Sequence, residues 1–328
     1  MSVFTFGETV LALRGSGPLG LGGAMDVTVT GAESNVATGL ARLGHQVRWA
    51  GAVGADEAGE LVLRTLRAEG VDVSAASRDE GAPTGLVLLE PRPPGLTRAH
   101  PYRTGSAASR IRACAIAEAF AAAPPTLLHL TGITPALGRS AQSAACLALQ
   151  LAAEHSAMVC LDVNHRPELW SSRDAAEVLR EWAPRADVLV ATEDELALCL
   201  PEGPEGPEGP EGPEGPEGPE GTPDGTGRRA RELLALGVGE VVVRRGAAGA
   251  TVYAAQGRLL HRPARAPRAP GAAWAGDAFV AGYLSGLLDG VPTAARLERA
   301  TAAEAFAAAS PGDWEGTPTR AELALPTG

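Results

Sequence analysis

The chain has 328 residues, a formal net charge of −11, and a composition of 45% hydrophobic and 20% charged residues. A chain of this length can bury a large core, and its negative charge argues against a nucleic-acid or anionic-membrane partner, which would require a basic surface. No apolar run approaches the roughly 20 residues of a membrane helix, and the N-terminus lacks the basic start of a signal peptide, so we expect a cytoplasmic protein.

Short apolar strand patterns alternate with helical stretches along most of the chain. Strand patterns fall at 46–54, 126–132, 157–164, 186–192 and 240–246, and helical patterns at 60–70, 140–156, 174–184, 193–200 and 228–237. This alternation predicts an α/β fold with a parallel sheet and helices on both faces. Such sheets bind ligands beyond the carboxyl ends of their strands.

Two segments interrupt the alternation. Residues 12–30 and 83–104 are punctuated by glycine and proline and carry alternating apolar positions, and no helix fits either pattern. We predict that they form a small β-structure that projects from the main sheet as a lid.

Residues 201–221 are seven tandem Pro-Glu-Gly triplets. Glycine at every third position is typical of collagen, but one short acidic tract between two predicted helices does not make a triple helix. We expect a solvated, disordered insertion without a catalytic role.

All 28 basic residues are arginine, because the sequence contains no lysine. This excludes a P-loop lysine, a kinase-type nucleotide lysine and Schiff-base chemistry. Any phosphate chemistry must therefore use backbone N–H groups, arginine or metal.

The tripeptide Ala275-Gly276-Asp277 precedes a run of small and apolar residues and predicts the start of a helix. A helix N-terminus offers unpaired N–H donors to an anion, and a nearby carboxylate can serve as a general base. Taken alone, Asp277 is better explained as a helix N-cap, and only its flanking sequence favours the catalytic role.

Three segments resemble the signature regions of the ribokinase-like (PfkB) carbohydrate kinases: "GAESNVATGLARLG" (31–44), "GAVGADEAGELVLRTLRAEGVD" (51–72) and "AGDAFVAGYLSGLLDG" (275–290). Within that family, four more segments are similar to the 2-keto-3-deoxygluconate kinase branch: "PYRTGSAAS" (101–109), "LHLTGITPAL" (128–137), "LDVNHRPELW" (161–170) and "SPGDWEG" (310–316). The resemblance covers one domain, residues 1–322, with the triplet tract as an insertion.

The resemblance implies a ribokinase-like, Rossmann-type sandwich with a mostly parallel central sheet and a small β lid. It also implies ATP- and Mg²⁺-dependent phosphorylation of the terminal hydroxyl of a 2-keto-3-deoxy sugar acid. Relatives often pair through their lids, so the resemblance implies a dimer or a larger homo-oligomer.

By the same resemblance, Asp277 is the base, and the backbone around Ala275 and Gly276 stabilises the developing charge. The residues implied for the substrate are Gly31, Asn35, Tyr102, Arg103, Ile133, Arg166 and Asp313. Two arginines favour a sugar acid over a neutral sugar, because guanidinium groups bind carboxylates through paired hydrogen bonds.

The nucleotide side is implied to include Thr192, Arg244, Gly246, Gly249, Trp274, Gly276 and Thr301, with Glu195 near the metal. Here the sequence departs from the family. Trp274 replaces a glycine of the anion-binding loop, which would strain the loop by roughly 1–2 kcal/mol if that glycine has a positive φ. Thr192 and Thr301 replace asparagines, Ala248 replaces a frequent lysine, and Pro101 replaces a tyrosine on the substrate side.

Three functions therefore stay open: a sugar-acid kinase with a weakened ATP site, a non-catalytic relative that binds a sugar acid as sensor or scaffold, and a ribokinase- or fructokinase-like kinase of neutral sugars. An NAD-dependent dehydrogenase fits poorly, since no G-x-G-x-x-G follows the first strand.

Overall fold

The computed structural model describes residues 2–92, 96–201, 224–254, 258–265, 275–310 and 312–325. The strands are β1 (Ser2–Phe6), β2 (Val10–Gly15), β3 (Met25–Thr30), β4 (Gln46–Ala50), β5 (Ala52–Gly54), β6 (Ser77–Asp79), β7 (Leu86–Arg92), β8 (Leu96–Tyr102), β9 (Leu127–Thr131), β10 (Met158–Asp162), β11 (Val188–Thr192), β12 (Glu240–Arg244), β13 (Ala250–Ala254) and β14 (Arg258–Arg262). The α-helices are α1 (Ala32–Arg42), α2 (Glu57–Ala68), α3 (Ala113–Ala122), α4 (Ile133–Ala136), α5 (Arg139–Glu154), α6 (Ser172–Trp182), α7 (Asp224–Ala235), α8 (Gly276–Leu288), α9 (Thr293–Ala308) and α10 (Arg320–Leu323).

The central sheet has the strand order β14-β13-β12-β11-β10-β9-β1-β4 across the described residues. Strands β4, β1, β9, β10, β11 and β12 run parallel, whereas β13 and β14 are antiparallel additions at one edge. The predicted α/β fold with a mostly parallel sheet is confirmed. The helix predicted over 193–200 is wrong as an α-helix: only a short 3-10 helix, Glu195–Cys199, forms there.

Strand register brings four polar residues to one edge of this sheet. Asp162 at the end of β10 pairs with Thr131 at the end of β9, and Thr192 at the end of β11 pairs with Arg244 at the end of β12. Because parallel strands all end at the same edge, their polar end residues meet there, where such sheets bind ligands.

A separate sheet has the order β3-β2-β7-β8. Its strands come from the two segments, 12–30 and 83–104, whose patterns favour extended structure, and a three-residue 3-10 turn, Leu19–Leu21, lies between β2 and β3. The repeat tract, beyond Pro201, lies outside the described residues.

The core lies on both faces of the central sheet, because successive strand side chains point to opposite sides. Along β10, Leu161 packs in the cluster that includes α5 and α6, and Cys160 packs in the cluster that includes α1, α8 and α9. No helix among the described residues combines the length and apolarity needed to cross a bilayer.

Candidate active site

A cleft lies between the carboxyl edge of the central sheet and the β3-β2-β7-β8 sheet. It contains seven residues that the sequence assigns to the site: Gly31, Asn35, Arg103, Ile133, Arg166, Asp277 and Asp313. The remaining walls are formed by Glu8, Val10, Thr30, Ala32, Val87, Leu89, Ala99, Pro101, Glu168 and Leu169.

Asp277 stands in the first turn of α8, which begins at Gly276. The first-turn N–H groups of an α-helix have no intrahelical acceptor, and the helix dipole adds partial positive charge at this end. The cleft therefore presents a carboxylate and a set of anion-binding donors at the same point.

The environment of Asp277 suits it to accept a proton near neutral pH. The pKa of this carboxyl is raised to about 6, mainly by burial and in small part by Asp313, against the opposing effects of Asn35, Arg166 and Arg244. A general base works best when its pKa lies close to the working pH.

A close approach of two helices brings Asn35 to Asp277. A β-carbon at Gly39 of α1 would lie 2.6 Å from the Cβ of Ala281 in α8, so only glycine lets the helices pack this closely. In this arrangement the Asn35 Nδ2–H donates to Asp277 Oδ2 over 2.8 Å. The sequence assigns Asn35 to the substrate, but in the structure Asn35 also contacts Asp277, the proposed base.

Arg103 is held by a residue that the sequence assignments omit. The Glu8 carboxylate, whose side chain is fully buried, forms an ion pair with Arg103, and its Oε1 accepts a hydrogen bond from Ser106 Oγ over 2.5 Å. Among the described residues, the buried Nε–H of Arg103 has no hydrogen-bond partner.

Tyr102 is not brought into the cleft. Its side chain is 62% exposed. Alternate residues of a strand face opposite sides, and its neighbours Pro101 and Arg103 face the cleft.

Asp313 reaches the cleft from the segment after α9 and is buried. Thr30 Oγ1 donates to its Oδ2, and Arg14 Nη2 lies 3.9 Å from its Oδ1. Burial raises the pKa of Asp313. The carboxyl is thus fixed against the end of β3 at the mouth of the cleft.

Arg244, at the end of β12, supplies positive charge close to Asp277. Its guanidinium lies against the Cα of Gly276, where any side chain would collide with it. Burial alone would lower the pKa of Arg244, but the surrounding carboxylates Asp162, Glu195 and Asp277, with Glu304 beyond them, raise it.

The other nucleotide-side assignments lie apart from the substrate cleft. Gly246 and Gly249 form a turn after β12 with positive φ angles of 53° and 93°, which glycine adopts without strain. Thr301 is buried in α9, where its hydroxyl donates to the Glu298 carbonyl. Trp274 lies outside the described residues.

Asp162 is a buried carboxyl group whose pKa lies well above its ordinary value. Burial raises its pKa to about 7, and Glu195 and Asp277 add to this effect, whereas Arg244 and Arg166 oppose it. Its Oδ1 has no hydrogen-bond partner among the described residues.

Glu195 has both carboxylate oxygens engaged by the backbone. Oε1 accepts from His165 N–H over 2.8 Å, and Oε2 accepts from Thr192 N–H over 2.7 Å. No group of three His, Cys, Asp or Glu in the described part of the chain has the arrangement of a metal site. Magnesium characteristically binds substrate phosphates and waters together with one or two carboxylates, and Asp162 and Glu195 could supply these.

The sequence assignments miss Glu8. One signal was available, because Glu8 follows the buried strand β1 by two residues, at the sheet edge where ligands bind. Its pairing with Arg103 is separated by 95 positions of sequence and becomes visible only in the fold.

A buried carboxyl group at a helix N-terminus, in a cleft between a Rossmann-type core and a small sheet, is the arrangement expected of a ribokinase-like carbohydrate kinase. The chain belongs to the pfkB family of carbohydrate kinases, whose family model matches residues 2–320. The protein is accordingly a phosphotransferase.

The chain is similar to two proteins named 2-dehydro-3-deoxygluconokinase. It is 31% identical to that of Bacillus subtilis (strain 168), covering 99% of this chain and 94% of the relative, and 32% identical to that of Thermoproteus tenax, covering 98% and 93%. The fold is similar to that of aminoimidazole riboside kinase from Salmonella enterica, solved with its riboside and an ATP analogue, with a TM-score of 0.79, 21% identity and 98% coverage of both chains.

Proposed function

We propose that this protein transfers the γ-phosphoryl group of ATP to the terminal hydroxyl of a 2-keto-3-deoxy sugar acid, with 2-keto-3-deoxygluconate as the first candidate. The observation that carries the proposal is that Asp277 shares one cleft with two guanidinium groups, those of Arg103 and Arg166. The names of the relatives from Bacillus subtilis and Thermoproteus tenax support the same substrate.

In the proposed reaction, Asp277 accepts the proton of the sugar hydroxyl as that oxygen attacks the γ-phosphorus. A new oxygen–phosphorus bond forms, the bond between the γ-phosphorus and the bridging oxygen breaks, and ADP leaves with that oxygen. The N–H groups at the start of α8 and the guanidinium of Arg244 stabilise the charge on the migrating group.

The acid end of the substrate is proposed to bind Arg103 and Arg166. Arg103 lines the cleft, and charge-assisted hydrogen bonds from a guanidinium to a carboxylate are about twice as strong as neutral ones. A neutral sugar offers the two guanidinium groups no charged partner, which disfavours a ribokinase- or fructokinase-like substrate.

Magnesium is proposed to enter with the nucleotide. When bound, Mg²⁺ would neutralise negative charge on the phosphates. Asp162 and Glu195 lie at the sheet edge on this side and would contribute carboxylate oxygens to that shell.

We also propose that the β3-β2-β7-β8 sheet acts as the lid. Val10, Val87, Leu89 and Ala99 give it an apolar face toward the cleft, which can exclude water once a sugar is bound. Pairing of two copies through this sheet is proposed by analogy with the family.

The test of the function is a coupled assay of ADP formation with 2-keto-3-deoxygluconate, its galactonate epimer and neutral ketoses. We expect turnover of at least one acid and a fall in kcat of at least about 10²-fold in Asp277→Asn, since a positioned base contributes roughly 10² to 10⁴. Asp194→Asn, an exposed neighbour of Glu195, serves as the control. Turnover of neutral ketoses alone would contradict the proposal.

Trp274 favours a second candidate, a relative that binds the acid without phosphorylating it, because this bulky residue replaces a family glycine. If the kinase proposal holds, Trp274→Gly should raise kcat/KM for ATP. If wild type binds the acid in calorimetry yet forms no ADP with any acid tested, the binding-only candidate replaces the kinase.

A further inference from the structure

The carboxylate of Glu195 links two loops that serve different substrates in the proposed reaction. Its Oε1 accepts from His165 N–H over 2.8 Å, next to Arg166 on the loop after β10. Its Oε2 accepts from Thr192 N–H over 2.7 Å, at the end of β11. The Glu195 side chain thereby connects the loop that carries Arg166, the proposed acid-binding arginine, to Thr192 on the proposed nucleotide side.

The backbone around Arg166 has a shape that needs such an anchor. Asn164 has a φ of 36°, in the left-handed region that non-glycine residues rarely adopt. The chain then turns back on itself, because the Arg166 carbonyl accepts from Leu169 N–H over 2.9 Å. Strained residues of this kind persist only where their surroundings fix them, and the Glu195–His165 bond lies between Asn164 and the turn.

We infer that Glu195 is a positioning residue for Arg166, and that its effect falls on binding of the sugar acid even when metal and nucleotide are absent. This inference rests on the proposed function. It differs from the assignment of Glu195 to the metal, which predicts an effect on the Mg²⁺ dependence and none on acid binding.

The chemistry of Glu195→Gln makes the inference testable. Glutamine has the same shape but replaces one acceptor oxygen with an amide NH₂ donor, which cannot accept from a backbone N–H. The glutamine oxygen can still serve one of the two loops, so Glu195→Ala, which removes both acceptors, is measured beside it. Wild-type acid binding counts against the inference when both variants show it. Displacements of about 1 Å in a binding group can cost about 10²-fold in function.

The experiment is calorimetric titration with 2-keto-3-deoxygluconate in EDTA, without nucleotide. We expect Glu195→Gln to weaken acid binding at least tenfold, and Asp194→Asn to leave it unchanged. In the kinase assay the KM for the acid should rise in Glu195→Gln, and the titration in EDTA separates this effect from any effect on the metal.

A double-mutant cycle separates positioning from general loss of structure. In the Arg166→Ala background, Glu195→Gln should weaken acid binding less than twofold further, because the group it positions is gone. A full tenfold additional loss in that background would overturn the inference. So would wild-type acid affinity in both Glu195→Gln and Glu195→Ala. Failure of the proposed function is recognised separately, because wild type itself would then give no heat with the acid.

Discussion

Asn35 and Asp277 are joined by a 2.8 Å hydrogen bond from the Asn35 amide to Asp277 Oδ2. The bond crosses from α1 to α8 and engages one of the two carboxylate oxygens of Asp277. The amide of Asn35 therefore both orients the proposed base and stabilises its ionised form.

The pH dependence of the reaction should report this bond. With the pKa of Asp277 at about 6, activity should rise with pH through that value, as the carboxyl loses its proton. Because Asn35 lowers the pKa of Asp277, Asn35→Leu should move the rising limb of kcat/KM against pH upward by roughly one pH unit, the equivalent of one hydrogen bond. Ser34→Ala, which removes a hydroxyl bound to the Gly31 carbonyl, should not move the limb. An unchanged limb in Asn35→Leu would show that another group limits the rate.

The sequence patterns account well for the central sheet and less well for the site contacts. Strand-and-helix periodicity is local, so it finds β9 to β12 and most of the helices between them. Residues 193–200 are predicted wrongly, because their apolar spacing fits an α-helix. In the structure the Glu195 side chain accepts hydrogen bonds from the backbone of Thr192 and His165 instead.

Long-range pairing explains what the sequence could not show. Glu8 lies between β1 and β2, Arg103 directly follows β8, and neither residue type indicates its partner. Tyr102 is assigned to the substrate by motif, yet strand alternation turns its side chain outward, with 62% of it exposed. The motifs therefore predict which residues reach the cleft, but they do not predict which contacts those residues make there.

The Glu8–Arg103 pair allows stability to be separated from acid binding. Arg103→Met leaves the fully buried Glu8 without its cation, which should lower the free energy of unfolding by roughly 3 kcal/mol, as for other broken buried pairs. Glu8→Gln/Arg103→Met should recover most of that loss, since no buried charge remains unpaired.

Acid binding should not recover with stability. Both variants lack the Arg103 guanidinium, so each should raise the KM for the sugar acid about 10- to 100-fold, equivalent to the roughly 1.5–3 kcal/mol of a hydrogen bond to a charged group. Urea unfolding and steady-state kinetics on the same samples check both parts. A wild-type KM for the sugar acid in the double variant would show that Arg103 does not bind the acid.

The glycine contact between α1 and α8 should be needed for both packing and catalysis. Gly39→Val forces side-chain carbon against Ala281 and Thr317, and overpacking of this kind costs typically 1–3 kcal/mol. Separating the helices also lengthens the bond from Asn35 to Asp277, so kcat should fall in the fraction that remains folded.

A matched control comes from Gly225 in α7, where an added β-carbon would meet nothing within 4 Å. Gly225→Val should leave kcat unchanged and should not destabilise the protein, because valine is the better helix former. Chemical denaturation and kcat measurements on both variants make the comparison. Equal effects at the two positions would contradict a specific role for the α1–α8 contact.

The buried Asp162 should make stability fall as pH rises toward neutrality. The pKa of this carboxyl is about 7 in the folded protein, against 3.8 as its ordinary value, mainly because burial disfavours the charge. Between these two values the folded state binds more protons than the unfolded state, so unfolding becomes easier with increasing pH. Below pH 4 both states are protonated and the effect vanishes; above pH 7 it is complete. Asp162→Asn removes the titration, so its stability relative to wild type should increase from pH 5 to pH 8 by about 3 kcal/mol, which follows from roughly two pH units below the folded pKa at about 1.36 kcal/mol each. Urea unfolding of both proteins at the two pH values measures this difference, and a constant or reversed difference would mean that Asp162 is already ionised in the fold at pH 5.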